Sequence, residues 1–189
     1  MKAVLMSIQP KWCARIVSGD KTVEVRKTKP KLETPFKCYI YCTYGEGLIE
    51  ANDEILPNHL IEHKVSKHKI WGNCCNGKVI GEFVCDRIIY SFLNNNDGWF
   101  VELGCLTPKE IDEYQGDKAI LYGWHITDLV IYDKPRELGE FKPYNRTEDD
   151  CKFSHLGFAI PRCQECKECY VKRPPQSWCY VEEVKRDGT

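Results

Sequence analysis

The segment SGDKTVEVRK, residues 18 to 27, brings Lys21, Glu24 and Arg26 close together directly after Gly19. Two cations and a carboxylate at this spacing support two kinds of chemistry. In a binding site, Arg26 and Lys21 hold a phosphate while Glu24 accepts from the exocyclic amino group of a base. In an enzyme, Lys21 beside Arg26 in a half-closed cleft loses solvation and meets a like charge, and both favour a free amine that can take a proton. Glu24 works the other way, so catalysis by Lys21 and Glu24 requires Glu24 to pair chiefly with Arg26. The plain alternative is a solvated ion pair on a strand edge, contributing less than about 1 kcal/mol.

The elements around the cluster follow from periodicity. KAVLMSI is an apolar run of the kind that forms a buried strand. Pro10 suits a first helical turn, Trp12 and Ile16 fall on one stripe with Cys13 and Val17, and Gly19 is a C-terminal stop. From Thr22 the period becomes two, with Val23 and Val25 on one face and Thr22, Glu24 and Arg26 on the other. Lys21 stands at the junction. Strands are expected at 37–44, 77–90 and 119–133, a polar segment at 45–76, and a short helix at TPKEIDEYQ capped by Thr107 with Pro108 first. Few helices and several β-branched strands predict an α+β protein built on a small mixed β-barrel.

Composition narrows the function classes. The 189 residues are 42% hydrophobic and 12% aromatic, enough for a core. No apolar run reaches the ~18 residues of a membrane helix, and the first residues lack a secretory pattern, so a cytoplasmic protein without membrane partners is expected. A formal charge of −1 excludes coating of nucleic acid by bulk electrostatics. Any such contact rests on a local patch, for which Lys21, Arg26, Lys27, Lys29 and Lys31 are the candidates. Among rings that could stack on a base, Trp12 and Trp124 lie in apolar patterns and read as core, leaving Tyr44, Trp99 and Trp178.

Twelve cysteines in a chain with no export pattern read as reduced thiols or a metal site. Cys163, Cys166 and Cys169 follow at intervals of three and Cys179 ten residues later, which can supply four thiolates to a structural zinc ion. Cys151 and His155 are substitutes. The same spacing admits an iron–sulfur cluster, or simply reduced cysteines on a tail. Cys13, Cys38, Cys42 and Cys85 lie in apolar runs and read as small core residues.

The helix, the pattern GxKxxExR (Gly19, Lys21, Glu24, Arg26), the central GKVIGEFVCD and the late YGWHITDLVIYDKPRELGEF resemble, in that order over residues 2 to 142, the ASCH domain of the PUA-like superfamily. RPPQSWCYVEE resembles the C-terminal tail of its small phage and bacterial members. The resemblance implies a PUA-like barrel with a cleft walled by GxKxxExR and an RNA, nucleotide or nucleoside ligand. Some bacterial members of that family are amidohydrolases of N4-acetylcytidine, and another is a ribonuclease. Lys21 matches the catalytic lysine of the amidohydrolases, but Glu24 replaces their catalytic threonine, and Glu102 and Glu110 are only rough matches for their glutamate. Binding therefore ranks ahead of hydrolysis.

The expected organisation is a barrel domain over 1–142 and a tail over 143–189, irregular and carrying the cysteine cluster. The tail holds too much apolar surface for a solvated linker and should fold back on the barrel. Pro174 and Pro175 fix an extended approach that presents Gln176, Ser177 and Trp178 to the cleft, with Trp178 largely buried beside it.

Overall fold

Alternation along KAVLMSI produces the centre of the molecule. In the computed structural model, which describes residues 1–45, 48–51, 60–63, 75–92, 98–144 and 169–184, this run is strand β1 (Lys2–Ile8). Val4, Met6 and Ile8 face one core cluster, whereas Ala3 and Leu5 face another on the opposite side. A strand buried on both faces needs no polar alternation. Helix α1 (Pro10–Val17) follows with Pro10 in its first turn, and Gly19 leaves it at φ +82°.

The remaining elements are β2 (Val23–Arg26), β3 (Phe36–Cys42), β4 (Leu48–Ala51), β5 (Leu60–His63), β6 (Val79–Phe92), α2 (Gly98–Glu102), α3 (Pro108–Gln115), β7 (Ile120–Arg136) and β8 (Trp178–Glu182). A six-stranded mixed sheet runs β2-β7-β6-β3-β1-β8, and β4 pairs with β5 separately. The β1–β3 pair is parallel; the other pairs are antiparallel. No helix among the described residues is long and apolar enough to cross a membrane.

The architecture is α+β, as expected, but the sheet does not close into a barrel. Strands β2 and β8 are its two edges and share no backbone pairing. β2 is only four residues long, and beyond it Pro30 has no N–H to donate to a ladder. Side chains cross the gap instead. The Trp178 Nε1–H donates to Thr28 Oγ1 at 3.0 Å, and the Lys31 amide donates to the Tyr180 hydroxyl at 2.7 Å. The end of the expected irregular tail is thus an edge strand, with Met6 opposite Trp178 and Lys2 opposite Glu182.

Val23 and Val25 face outward onto Phe100, Leu106 and Leu121, and this packing brings α2 and the start of α3 against β2. The approach is close enough that a Cβ on Gly123 would stand 2.5 Å from the Phe100 ring and 2.7 Å from Val23. Cys13, Cys38, Cys42 and Cys85 are all fully buried in the inner cluster.

Candidate functional site

Both faces of β2 are buried, which is unusual for a strand alternating Val-Glu-Val-Arg. Pairing with β7 sets Glu24 opposite Trp124 and Arg26 opposite Tyr122. Directly opposed residues share a face, so the charged side chains point into the curled sheet. The junction between α1 and β2 adds Lys21, whose amide is tied to the Arg15 carbonyl. Lys21, Glu24 and Arg26 are 2%, 5% and 7% exposed.

The three form one chain of charge. Glu24 Oε1 lies 2.9 Å from Arg26 Nη2, and Glu24 Oε2 lies 3.4 Å from Lys21 Nζ. Lys21 also donates to the Gly104 carbonyl at 2.7 Å. Arg26 Nη2 donates to the Ser7 carbonyl at 2.7 Å, and its Nη1 donates to Ser177 Oγ over a longer 3.4 Å. Its Nε–H is buried with no hydrogen-bond partner among the described residues. Charge burial on this scale is tolerated only with such pairing.

The cluster lines an open cleft of about 810 Å³ at the gap between the sheet edges. β1 and α1 supply Ser7, Lys11 and Trp12; α3 supplies Glu110, Glu113 and Tyr114; and the opposite wall is Pro174 to Ser177. That wall is fixed by Ser7, whose amide donates to the Ser177 carbonyl at 2.9 Å and whose hydroxyl donates to the Pro175 carbonyl at 2.7 Å. Gln176 and Ser177 therefore line the cleft. Trp178 sits just behind the wall, partly buried against the core, 5.8 Å from the Trp124 ring and 5.3 Å from Tyr180. Its indole anchors the wall and is not part of the lining.

Trp12 packs against two core clusters, as expected, but it also has a face on the cleft. It lines the cleft, partly exposed, with Lys11 Nζ 4.2 Å and Lys21 Nζ 5.1 Å from its ring centroid. Trp124, by contrast, is fully buried. Tyr114 is a lining residue that the sequence reading missed, although its place in TPKEIDEYQ, three and four residues after Ile111 and Glu110, was a usable signal. Burial pushes its phenol above the ordinary value; Arg26 opposes the shift and Glu24 adds to it. The hydroxyl therefore stays protonated at neutral pH.

Of the two rough glutamate candidates, Glu102 is exposed and outside the lining, whereas Glu110 is within it. Glu110 is already engaged, accepting from Lys11 Nζ at 2.7 Å and from the Thr107 amide at 2.9 Å in a capping box. These partners, Lys11 first, hold its carboxyl down at about 2. A depressed carboxyl contributes stability above its unfolded value, and the contribution disappears as pH falls from about 4.5 toward about 2. Glu110→Gln is expected to flatten the stability profile in that window while leaving its slope above pH 6 unchanged, as read by urea denaturation. An unaltered acid limb would show that the pairing contributes nothing.

Among the described residues no thiol lines the cleft. Burial pushes the Cys13 thiol well up, and neighbouring Cys42 adds to the shift. Of the expected zinc ligands, Cys163 and Cys166 lie outside the described residues, as do the substitutes Cys151 and His155. Cys169 is buried, and Cys179 on β8 packs at the edge of the cluster formed by Leu5 and Val181. Among the described residues no three His, Cys, Asp or Glu side chains come together as a metal site.

No family model and no curated protein matches the chain. Solved structures do. The ASCH protein of Zymomonas mobilis aligns at a TM-score of 0.52 with 18% identity, over 96% of this chain and 88% of that one. A tyrosine-to-phenylalanine variant of the same protein aligns at 0.54 and 18%, over 97% and 92%. A serine-to-alanine variant aligns at 0.53 and 17%, over 96% and 89%. The chain has the ASCH fold.

Proposed function

We propose that the chain is an RNA- or nucleotide-binding module that holds one base and its phosphate in the cleft lined by Lys21, Glu24 and Arg26. The observation that carries this reading is the buried Arg26 guanidinium, which keeps an unpaired Nε–H beside a carboxylate already fixed for hydrogen bonding. Arginine offers five donors, and its planar fork suits an oxyanion. Glu24, Gln176 and Ser177 supply the acceptors and donors that a base edge requires. Lys11, Lys21 and Arg26 are balanced in the lining by Glu24, Glu110 and Glu113, so the cleft suits a single phosphate rather than a polyphosphate.

Hydrolysis is less well supported. Lys21 is held as a donor by Glu24 and the Gly104 carbonyl, an arrangement for a fixed cation rather than for a base that takes a proton from water. A structural zinc ion on Cys163, Cys166, Cys169 and Cys179 is a separate proposal supported by spacing, and metal analysis of the purified protein tests it.

Lys21→Ala and Arg26→Ala are each expected to weaken binding of fluorescently labelled nucleoside monophosphates. The salt dependence of the wild type should correspond to about one or two phosphate contacts. Equal affinity of wild type and double variant in fluorescence anisotropy would remove the reading. Incubation with N4-acetylcytidine is the companion assay, in which Lys21-dependent release of cytidine would replace binding with hydrolysis.

A further inference from the structure

The concave face of the sheet does not stop at the cleft. Arg26 on β2 lies opposite Tyr122 on β7, and Tyr122 lies opposite Tyr90 on β6, so all three stand in one row on one face. Two interstrand spacings separate the ends of this row, about 10 Å. The next position along β6 on the same face is Phe92, whose ring lies 5.7 Å from that of Tyr90 in an edge-on arrangement.

These rings are uncovered. The pairing of β3 with β6 ends at Phe36 opposite Cys85, so among the described residues the far half of β6 pairs only with β7. Tyr90 is 59% exposed and Phe92 is 51% exposed. Paired aromatics this open are not core residues, and their burial preference calls for a partner.

The surroundings specify its chemistry. Residues 27 to 31 read Lys-Thr-Lys-Pro-Lys with no acidic residue, and among the described residues none of the three lysines is in an ion pair. Lys27 Nζ stands 5.0 Å from the ring centroid of Tyr114, on the cleft wall, and Lys29 Nζ stands 5.8 Å from that of Tyr122. Lys27 at the cleft wall and Lys29 beside Tyr122 therefore set unpaired cations between the cleft and the row that ends at Tyr90. A second copy of this chain would bring the same lysines against themselves, at a cost in like-charge repulsion. An anionic chain with flat apolar groups satisfies both features.

We propose that Tyr90 and Phe92, with Tyr122 and Lys29, form a stacking platform for the single-stranded RNA flanking the nucleotide held in the cleft. Bases stack on exposed rings without regard to sequence, and the lysines follow the backbone phosphates. This deepens the reading of the cleft as a nucleotide site, and it turns that site from a pocket for a free nucleotide into one station on a strand.

The test compares a labelled nucleoside monophosphate with a labelled short single-stranded RNA on the wild type and on the Tyr90→Ala/Phe92→Ala double variant, whose exposed side chains can be lost without opening the core. The expected result is a loss of about tenfold or more in RNA affinity with monophosphate affinity unchanged. Lys29→Ala should lower the salt slope for RNA by about one and leave that for the monophosphate unaltered. RNA affinity unchanged in the double variant overturns the platform and leaves the cleft reading intact. A loss that is equal for both ligands also overturns it, because the rings then act through the cleft. RNA binding that depends on the rings, without monophosphate binding, supports the platform and sinks the cleft reading. A wild type that dimerises through these rings in sedimentation and binds no RNA overturns the platform in favour of a second copy.

Discussion

Replacing Glu24 with glutamine is expected to lower the unfolding free energy by about 3–5 kcal/mol, the usual consequence of breaking a buried charge pair from one side. The carboxylate is shared by Lys21 and Arg26, both nearly inaccessible to water, so its loss leaves two cations facing each other. Their remaining partners, the Gly104 and Ser7 carbonyls and the Ser177 hydroxyl, are neutral and cannot offset a full charge. Urea denaturation at neutral pH measures the loss. A second variant separates instability from misfolding: with Lys21→Met added to Glu24→Gln, one surplus cation is gone and part of the stability should return. The same single variant should bind inorganic phosphate more tightly than wild type, since phosphate can replace the missing carboxylate. A change below about 1 kcal/mol would mean that Glu24 behaves as a solvated surface group.

The second large effect is expected at Trp178. Its indole covers Trp124, packs on Tyr180 and donates to Thr28 across the open side of the sheet. Trp178→Ala should cost about 2–4 kcal/mol, toward the low end for a buried tryptophan because the ring is only partly covered. It should also weaken nucleotide binding, because Pro174 to Ser177 lose the anchor immediately behind them. Trp178→Phe keeps the apolar contact but not the hydrogen bond and should cost about 1 kcal/mol. Limited proteolysis gives an independent check. Loss of everything after about residue 142, with a stable remainder of unchanged affinity, would show that the wall is dispensable.

The elements were legible where the sequence carries local signals. Pro10, Gly19, Thr107 and Pro108 mark helix ends that the structure reproduces, and the apolar runs of β1, β3, β6 and β7 follow ordinary strand patterns. The polar face of β2 was legible as a pattern but not as a buried surface. Alternation alone predicts one wet face, and here that face is covered by Ser7 and by residues 174 to 177, more than 140 positions away. The cleft face of Trp12 was hidden for the same reason: helical spacing fixes a stripe but not which neighbours will lie against it. The strand at Trp178–Glu182 was hidden because WCYVE is short and its pairing partner is β1, at the other end of the chain. The hairpin of β4 and β5 lies within a stretch that reads only as polar.

Pairing of β1 with β8 also orders events in time. During synthesis, the first strand emerges with an unfilled edge, and more than 170 residues must follow before Trp178–Glu182 can pair with it. Until then, the nascent sheet presents the backbone groups of Lys2 to Met6 to any strand nearby, the situation that invites association between chains. The cleft is in the same position, since its wall at Pro174 to Ser177 is synthesised after every other lining residue. Completion of the cleft and relief of the exposed edge therefore arrive together, in one step with a large loop-closure cost.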